Sequence, residues 1–212
     1  MTHREFLKSE FLKNIAPDLE KLNFRLNKSL CTAYRRNEEG WLGFSLIFLI
    51  NEQEGWTLNT SIGIRKDVVE NIYHKTSGFE TKYQKNTATI GCFIEDYIQQ
   101  YDNIRINLIH ESQIINAKDL VINLFDEIGL SYFQNYADIK TIDDLLNYNP
   151  LEECVHSNTI FRGAKGIITA KLTERGNYTE LVEIYRKHYT EFCNGFYLPS
   201  YVELVNYLEK YG

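Results

Sequence analysis

Residues 41–65, WLGFSLIFLINEQEGWTLNTSIGIR, predict two strands joined by a short polar loop, and the rest of the chain is expected to pack on this hairpin or to extend it. The predicted strands are Leu42–Ile50 and Trp56–Arg65, with residues 51–55 between them. In the second strand apolar and polar side chains alternate, so one face suits a core and the other suits water. This alternation is typical of an antiparallel sheet that is covered on one face.

Three further segments predict strands that extend this hairpin. They are Leu30–Arg36, Thr87–Ile94 and Ile104–Ile109, and they bring the sheet to about five strands within residues 30–109. The segment from 78 to 86 is polar and shows no clear period, which indicates a loop.

Helices are predicted before and after the sheet. Residues 3–22 carry apolar side chains at helical spacing, with an interruption at Pro17 where we expect a kink or a restart. A second apolar stripe runs over residues 112–128 and is expected to end at Gly129. Both stripes are expected to cover the sheet.

The rest of the second half is also predicted to be helical. A short helix is expected to begin at Thr141 as its N-cap, a helical hairpin to span residues 158–193, and a last helix to begin near Pro199. Strands first and helices afterwards indicate an α+β fold. Because no linker-like segment separates two halves, we expect a single domain over residues 1–212, with helix 3–22, sheet 30–109 and helical part 112–212.

Composition indicates a folded protein. Hydrophobic residues make up 43% of the 212 residues and aromatic residues 14%, far from the composition of a disordered chain. The amino terminus carries charges where a signal peptide needs an apolar core, and no apolar run of about 18 residues occurs, so a cytoplasmic protein without a membrane segment is expected. The four cysteines form no C-x-x-C pair, which favours reduced structural thiols.

The net charge of −6 is concentrated in one block. Residues 108–155 hold 9 acidic and 2 basic side chains. An acidic surface repels phosphates and attracts basic proteins, so a basic protein partner is favoured and nucleic acid is disfavoured. The alternative is that these groups only solvate a helical surface. The candidate protein-binding residues are Asp126, Glu127, Asp143, Asp144, Glu152 and Glu153.

No catalytic motif is present in the sequence. A phosphate-binding glycine loop, a G-x-S-x-G elbow, an H-E-x-x-H helix and an EF-hand loop are all absent, and no two histidines lie three or four residues apart. We therefore predict no catalytic residue, no metal and no cofactor. The tyrosines of the C-terminal helices, among them Tyr197 and Tyr201, are interpreted as core residues.

The polar face of the sheet offers a second candidate site. Alternation places arginine and asparagine side chains on this face, and guanidinium groups bind carboxylates and phosphates bidentately. A carboxylate, a phosphate or a peptide is therefore a candidate ligand, unless the arginines pair with neighbouring carboxylates. The candidate ligand-binding residues are Arg35, Asn59, Arg65, Arg105 and Asn107.

The layout also resembles a known group of sequences. The segment Leu22–Leu26, the triplet Tyr34-Arg35-Arg36 and the strand Asn59–Arg65 are the parts that carry the resemblance. Taken with the helical second half, they resemble an uncharacterised family of bacterial domains of unknown function, whose relatives include suspected immunity proteins of contact-delivered toxins. The resemblance implies an α+β fold, a bacterial cytoplasm and a binding role, and it transfers no catalytic residue.

Two functional hypotheses follow. The first is a non-enzymatic protein-binding module, of which an immunity-type inhibitor of a basic bacterial toxin is the specific form. The second is a small-ligand binder or an enzyme that uses the arginine-bearing face of the sheet. The sequence does not indicate an oligomeric state.

Overall fold

The computed structural model describes residues 1–99 and 106–211. The fold is α+β, with an antiparallel sheet and helices in the C-terminal half, as the sequence predicts. The chain forms two compact units. Unit 1 comprises Met1–Ile64 and Gly91–Gln134, and unit 2 comprises Arg65–Ile90 and Asn135–Gly212. The single domain over residues 1–212 stays a prediction.

Over the described residues the sheet has six strands in the order β1-β2-β3-β4-β5, and β6 also pairs with β4. Their bounds are β1 Arg25–Asn27, β2 Thr32–Asn37, β3 Gly40–Ile50, β4 Trp56–Lys66, β5 Ile90–Phe93 and β6 Ile106–Leu108. The two long strands are those that alternation predicted, and β1 is a short strand that the sequence pattern missed.

The helices lie before the sheet, between its later strands and throughout the C-terminal half. Their bounds are α1 His3–Lys21, α2 Asp67–Tyr73, α3 Thr81–Gln84, α4 Ile94–Ile98, α5 Ile114–Leu124, α6 Leu130–Asn135, α7 Ile139–Asn147, α8 Thr159–Leu172, α9 Tyr178–Glu191 and α10 Leu198–Glu209. In the described part of the chain, no helix has the length and apolar character needed to cross a membrane.

Helix α1 covers one face of the sheet in unit 1. Thr2 caps it, since its hydroxyl accepts from the Glu5 amide and the Glu5 carboxylate accepts from the Thr2 amide. The helix continues through Pro17 and does not restart there. Ile15 and Leu19, on either side of the proline, are fully buried, and their burial outweighs the one helical hydrogen bond that proline removes.

The helix after residue 111 is longer than predicted. Helix α5 passes through a π-helical turn, Phe125–Gly129, into α6, so the predicted stop at Gly129 is wrong. Gly129 instead allows a close approach, because a Cβ there would lie 2.6 Å from Cδ2 of Phe125. The Phe125 ring fills the core, 4.8 Å from the ring of Phe24 and 4.4 Å from that of Phe44. Helix α5 contributes the fully buried Val121.

Two other predicted boundaries differ from the structure. The N-cap of α7 is Asp138, whose carboxylate accepts from the Lys140 amide, and Thr141 lies inside the helix. The predicted strand Thr87–Ile94 is strand over Ile90–Phe93 and then turns into α4. Of the predicted strand Ile104–Ile109, residues 104 and 105 lie outside the described residues.

Unit 2 has its own core, which is built from the helices that follow residue 135 together with α2. Tyr185 and Tyr189 of α9 pack against α8, where a Cβ on Gly163 would lie within 2.9 Å of both rings. The Tyr185 hydroxyl donates to the Leu146 carbonyl at 3.0 Å and so ties α9 to the end of α7. Burying these large rings provides much of the apolar area of this unit.

Candidate functional site

The predicted sheet-face residues of unit 1 do not form one site. Arg35 lies directly opposite Leu42, and such partners project to the same face of a sheet. That face also carries the fully buried Phe44, so Arg35 lies at the exposed margin of the covered face. Its guanidinium lies 5.1 Å from the centroid of the Phe24 ring. The sequence pattern missed this because it did not reveal the register of β2.

Asn59 and Asn107 lie on the other face of the sheet. Asn107 is opposite Thr57, and its amide oxygen accepts from the Thr57 hydroxyl at 3.1 Å and from the Asn51 amide nitrogen at 3.3 Å. Asn59 alternates with the buried Leu58 and is half-buried. The structure therefore puts Arg35 and the two asparagines on opposite faces. Arg105 lies outside the described residues.

Arg65 belongs to unit 2 and is 6% exposed. Its Nε lies 2.5 Å from Oδ1 of Asp67, and its Nη1 donates to the carbonyls of Gln84 at 2.7 Å and Thr87 at 2.9 Å. Of the two interpretations of the arginines, ligand binding or pairing with neighbouring protein groups, the second describes Arg65. Arg65 is therefore not available to a ligand from solvent.

Arg65 forms part of a buried group around Glu70, which has no exposed surface. We call Arg65, Glu70, His74, Thr87 and Lys165 the Glu70 cluster. Lys165 Nζ lies 3.0 Å from Oε1 of Glu70, at an angle that leaves this oxygen without a well-aligned hydrogen bond. The Thr87 hydroxyl donates to Oε2 at 2.6 Å, and His74 Nε2 lies 3.7 Å from the same oxygen.

The electrostatics of the Glu70 cluster are those of a buried ion pair. Burial lowers the pKa of the Lys165 ammonium, and the carboxylate of Glu70 opposes that shift. Burial also lowers the pKa of His74, again against the attraction of Glu70. Lys165 Nζ additionally donates to the Ala88 carbonyl. These contacts satisfy the charges internally, so the cluster acts as a structural junction between α2, α8 and the segment before β5.

A cavity of about 420 Å³ lies beside this cluster in unit 2. We call it the aromatic cavity. Seven of its lining side chains carry aromatic rings: Tyr73, Phe79, Tyr83, Phe161, Tyr189, Tyr197 and Tyr201. The Tyr189 hydroxyl donates to the Ile160 carbonyl at 2.6 Å, and that of Tyr201 donates to the Val182 carbonyl at 2.9 Å. Sequence reasoning assigned Tyr197 and Tyr201 to the core and missed the cavity.

Most of the predicted acidic residues are exposed, and one is not. Asp126 and Glu127 are exposed in the π-helical turn of unit 1. In unit 2, Asp144, Glu152 and Glu153 are exposed, whereas Asp143 is 2% exposed.

Asp143 is held inside the fold by hydrogen bonds. Its carboxylate accepts from the Asn147 amide nitrogen at 2.6 Å, from the Thr169 hydroxyl at 3.2 Å and from Arg175 Nη1 at 2.8 Å. Arg175 also contacts Asp144 at 2.8 Å. Asp143 is therefore a structural residue and cannot contact a partner, and Asp144 shares the guanidinium of Arg175 with it.

Glu152 and Glu153 lie in a loop whose apolar side chains are unusually exposed. We call residues 148–155, which connect α7 towards α8, the presented loop. Tyr148 is 79% exposed, Leu151 74% and Val155 48%. Single exposed apolar residues are normal on a protein surface, but three in eight residues beside two carboxylates form a mixed apolar and acidic patch.

Arg162 of α8 holds the presented loop in place. Its side chain, 7% exposed, donates to the carbonyls of Leu146 at 3.0 Å and Asn149 at 2.7 Å, and to that of Glu152. The side-chain amide nitrogen of Asn149, Nδ2, also donates to the Glu152 carboxylate at 2.8 Å. Loop carbonyls that would otherwise require water are thus satisfied by one buried guanidinium. The loop is pre-organised although its side chains are exposed.

His156 follows the presented loop and is buried. Its ring lies 5.5 Å from the ring of Tyr136. Burial lowers its pKa to about 4, so the imidazole is neutral at neutral pH. Protonation of His156 is therefore unfavourable in the folded protein.

Comparison of the chain with protein-family models, with curated proteins and with solved structures found no match. The resemblance to bacterial immunity-type domains stays a prediction. Within residues 1–99 and 106–211, no group of three or more His, Cys, Asp or Glu side chains is arranged to hold a metal ion.

Proposed function

We propose that this protein is a protein-binding module that recognises its partner through the presented loop. The observation that carries the proposal is the combination of high exposure and rigid support in residues 148–155. Tyr148 and Leu151 are more than 70% exposed, while the backbone beneath them is bonded to the buried Arg162. A loop that does not have to be ordered on binding avoids part of the entropic cost of association.

The side chains of the loop match those that dominate protein interfaces. Tyrosine is enriched among the residues that contribute most binding energy, because it buries a large area with few rotatable bonds. Leu151 and Val155 supply further apolar area. Glu152 and Glu153 are exposed beside them and support a charged rim for such an interface.

The chemistry of the loop defines the chemistry of the partner. We infer a protein whose contact surface combines an apolar pocket with lysine or arginine side chains. The exposed carboxylates of Glu152 and Glu153 support this choice, because a negative field attracts a basic protein and accelerates encounter. An immunity-type inhibitor of a basic toxin is the specific form of the proposal.

The experiment is affinity capture from the native lysate with matched variants. The double variant Glu152→Lys/Glu153→Lys reverses both charges of the loop. The control Glu52→Lys/Glu54→Lys reverses two exposed charges in the β3–β4 turn of unit 1. The proposal expects a retained protein that is lost with the first variant, retained with the second and weakened by added salt.

Two results contradict the proposal. One is that the wild-type protein captures no protein from the lysate beyond those that the bare matrix also retains. The other is a retained protein whose capture is equal for the loop variant and the control. Thermal melts of both variants must match the wild type, so that a loss of capture reports contact and not unfolding.

A further inference from the structure

We infer that the aromatic cavity of unit 2 is a binding site for a small, uncharged, planar aromatic molecule. The inference does not depend on the presented loop, because the residues that line the cavity and residues 148–155 are different sets. It would give the protein a ligand as well as a protein partner.

Size and lining favour this class of ligand. The cavity volume of about 420 Å³ falls within the range of small-molecule sites. Its rings come from three separate parts of unit 2, namely residues 73–83, 160–164 and 189–204. Aromatic walls on several sides favour a flat ring that can stack on one wall and contact another with its edge.

The charges around the cavity disfavour a cationic ligand. Lys165 Nζ lies 5.2 Å from the centroid of the Tyr73 ring and 5.8 Å from that of Phe161. Both rings line the cavity, so each already interacts with an ammonium group. A second cation at these rings would be repelled by the first. At the margin, the carboxylate of Glu80 is paired with Lys82 at 2.8 Å.

An anionic ligand is disfavoured as well. The Lys165 ammonium is engaged by Glu70 at 3.0 Å, and the ring faces that line the cavity carry negative partial charge. An anion would lose its hydration without gaining a free cation. A neutral ligand avoids both costs.

Two hydroxyl groups can add specificity. Tyr73 and Tyr197 line the cavity, and among the described residues neither hydroxyl has a hydrogen-bond partner. Burial raises the pKa of Tyr73, so its hydroxyl stays protonated and can donate. A phenol hydroxyl can both accept from and donate to these groups, and the N–H of an indole can donate to a tyrosine hydroxyl oxygen.

The test uses three probes that share one ring system. Indole is neutral, tryptamine is cationic and indole-3-acetate is anionic at neutral pH. Binding is measured by ligand-observed NMR and by titration with the 212-residue chain. We expect saturable binding of one indole in the submillimolar range and binding of both charged probes that is at least about tenfold weaker.

Two variants locate the binding. Ser200, exposed at the start of α10, lines the cavity, and Ser200→Trp places a bulky ring there. Thr179→Trp adds the same ring to an exposed position in the first turn of α9, away from the cavity. Indole binding should be lost with Ser200→Trp and unchanged with Thr179→Trp. Tyr73→Phe, which removes a hydroxyl and keeps the ring, should weaken indole binding by about threefold to tenfold.

Several outcomes overturn the inference. Indole that does not saturate, or that binds the Ser200→Trp variant as well as the wild type, shows that the cavity is not the site. Tryptamine binding more tightly than indole refutes the assignment to a neutral ligand. The protein captured through the presented loop could also displace indole from the cavity. That result would assign the cavity to an aromatic side chain of the protein partner and not to a small molecule.

Discussion

Replacement of Glu70 by glutamine removes the negative charge at the centre of the Glu70 cluster with almost no change in shape. Lys165, which is 4% exposed, then loses its counter-ion at 3.0 Å and retains the Ala88 carbonyl and two ring faces as partners. An ammonium left in such a site is either uncompensated or forced to lose its proton.

The expected magnitude follows from the burial of both partners. Removing one member of a fully buried ion pair costs about 3–5 kcal/mol, because the remaining charge stays desolvated. We therefore expect Glu70→Gln to lower the free energy of unfolding by about 3–5 kcal/mol. In the double variant Glu70→Gln/Lys165→Met the stranded ammonium is absent, so the loss should be about half that of Glu70→Gln alone and well below the sum of the two single losses.

The assay is urea unfolding of the wild type, the two single variants and the double variant, followed by tyrosine fluorescence and circular dichroism. Glu203→Gln, on the exposed side of α10, is the control and should be neutral within about 0.5 kcal/mol. A Glu70→Gln variant as stable as this control, or a double variant whose loss equals the sum of the single losses, would refute the buried ion pair.

Three further predictions concern the sheet, the buried histidine and the loop support. Ile62→Asp and Val121→Asp place a carboxylate at positions that are 3% and 0% exposed, and each should prevent folding. Asn59→Asp, on the other face of the sheet, should change the melting temperature little. Circular dichroism melts compare the stability of the three variants. The pKa of His156 is about 4 in the folded protein and about 6.5 in the unfolded chain, so the unfolded chain takes up a proton first as the pH falls. The free energy of unfolding should therefore fall between pH 6.5 and pH 4, by about 2–3 kcal/mol more than it does in His156→Phe. Urea unfolding at several pH values measures the difference. Arg162→Met removes the guanidinium donor of the Asn149 and Glu152 carbonyls in the loop and should cost about 2–4 kcal/mol, with new protease cleavage between residues 148 and 155 visible by mass spectrometry.

Local periodicity was sufficient to predict the main elements of the fold. The alternation from Trp56 to Arg65 identified β4, and the apolar stripe that includes Ile15 and Leu19 identified α1. The error at Gly129 arose because core packing overrides a local signal. Gly129 is a helix-ending residue by local rules, yet in the structure it provides room for the Phe125 ring and the helix continues.

The candidate site was less accessible to sequence reasoning for a geometric reason. The Glu70 cluster joins residues whose positions in the chain differ by up to 100, and the aromatic cavity joins three separate segments. Neither has a spacing that a single sequence can reveal. The presented loop carried only an ambiguous signal, because Tyr148, Leu151 and Val155 are spaced by three and four residues as on a helix, while Pro150 interrupts that pattern.

The burial of Asp143 shows a related limit. In the sequence it is adjacent to Asp144 and belongs to the same acidic block, so composition treats the two alike. In the structure the helical turn directs one carboxylate towards Asn147 and Thr169 and leaves the other at the surface. Net charge predicted an acidic surface, but side-chain direction decides which carboxylates belong to it.

The most direct measurement of the proposed function is the dissociation constant of the captured partner for the wild type and for Tyr148→Ala. Tyr148 is 79% exposed, so its truncation should leave the melting temperature unchanged. If Tyr148 anchors the interface, the affinity should fall by about thirtyfold, which corresponds to about 2 kcal/mol. An affinity within about twofold of the wild type would show that the partner does not bind through the presented loop.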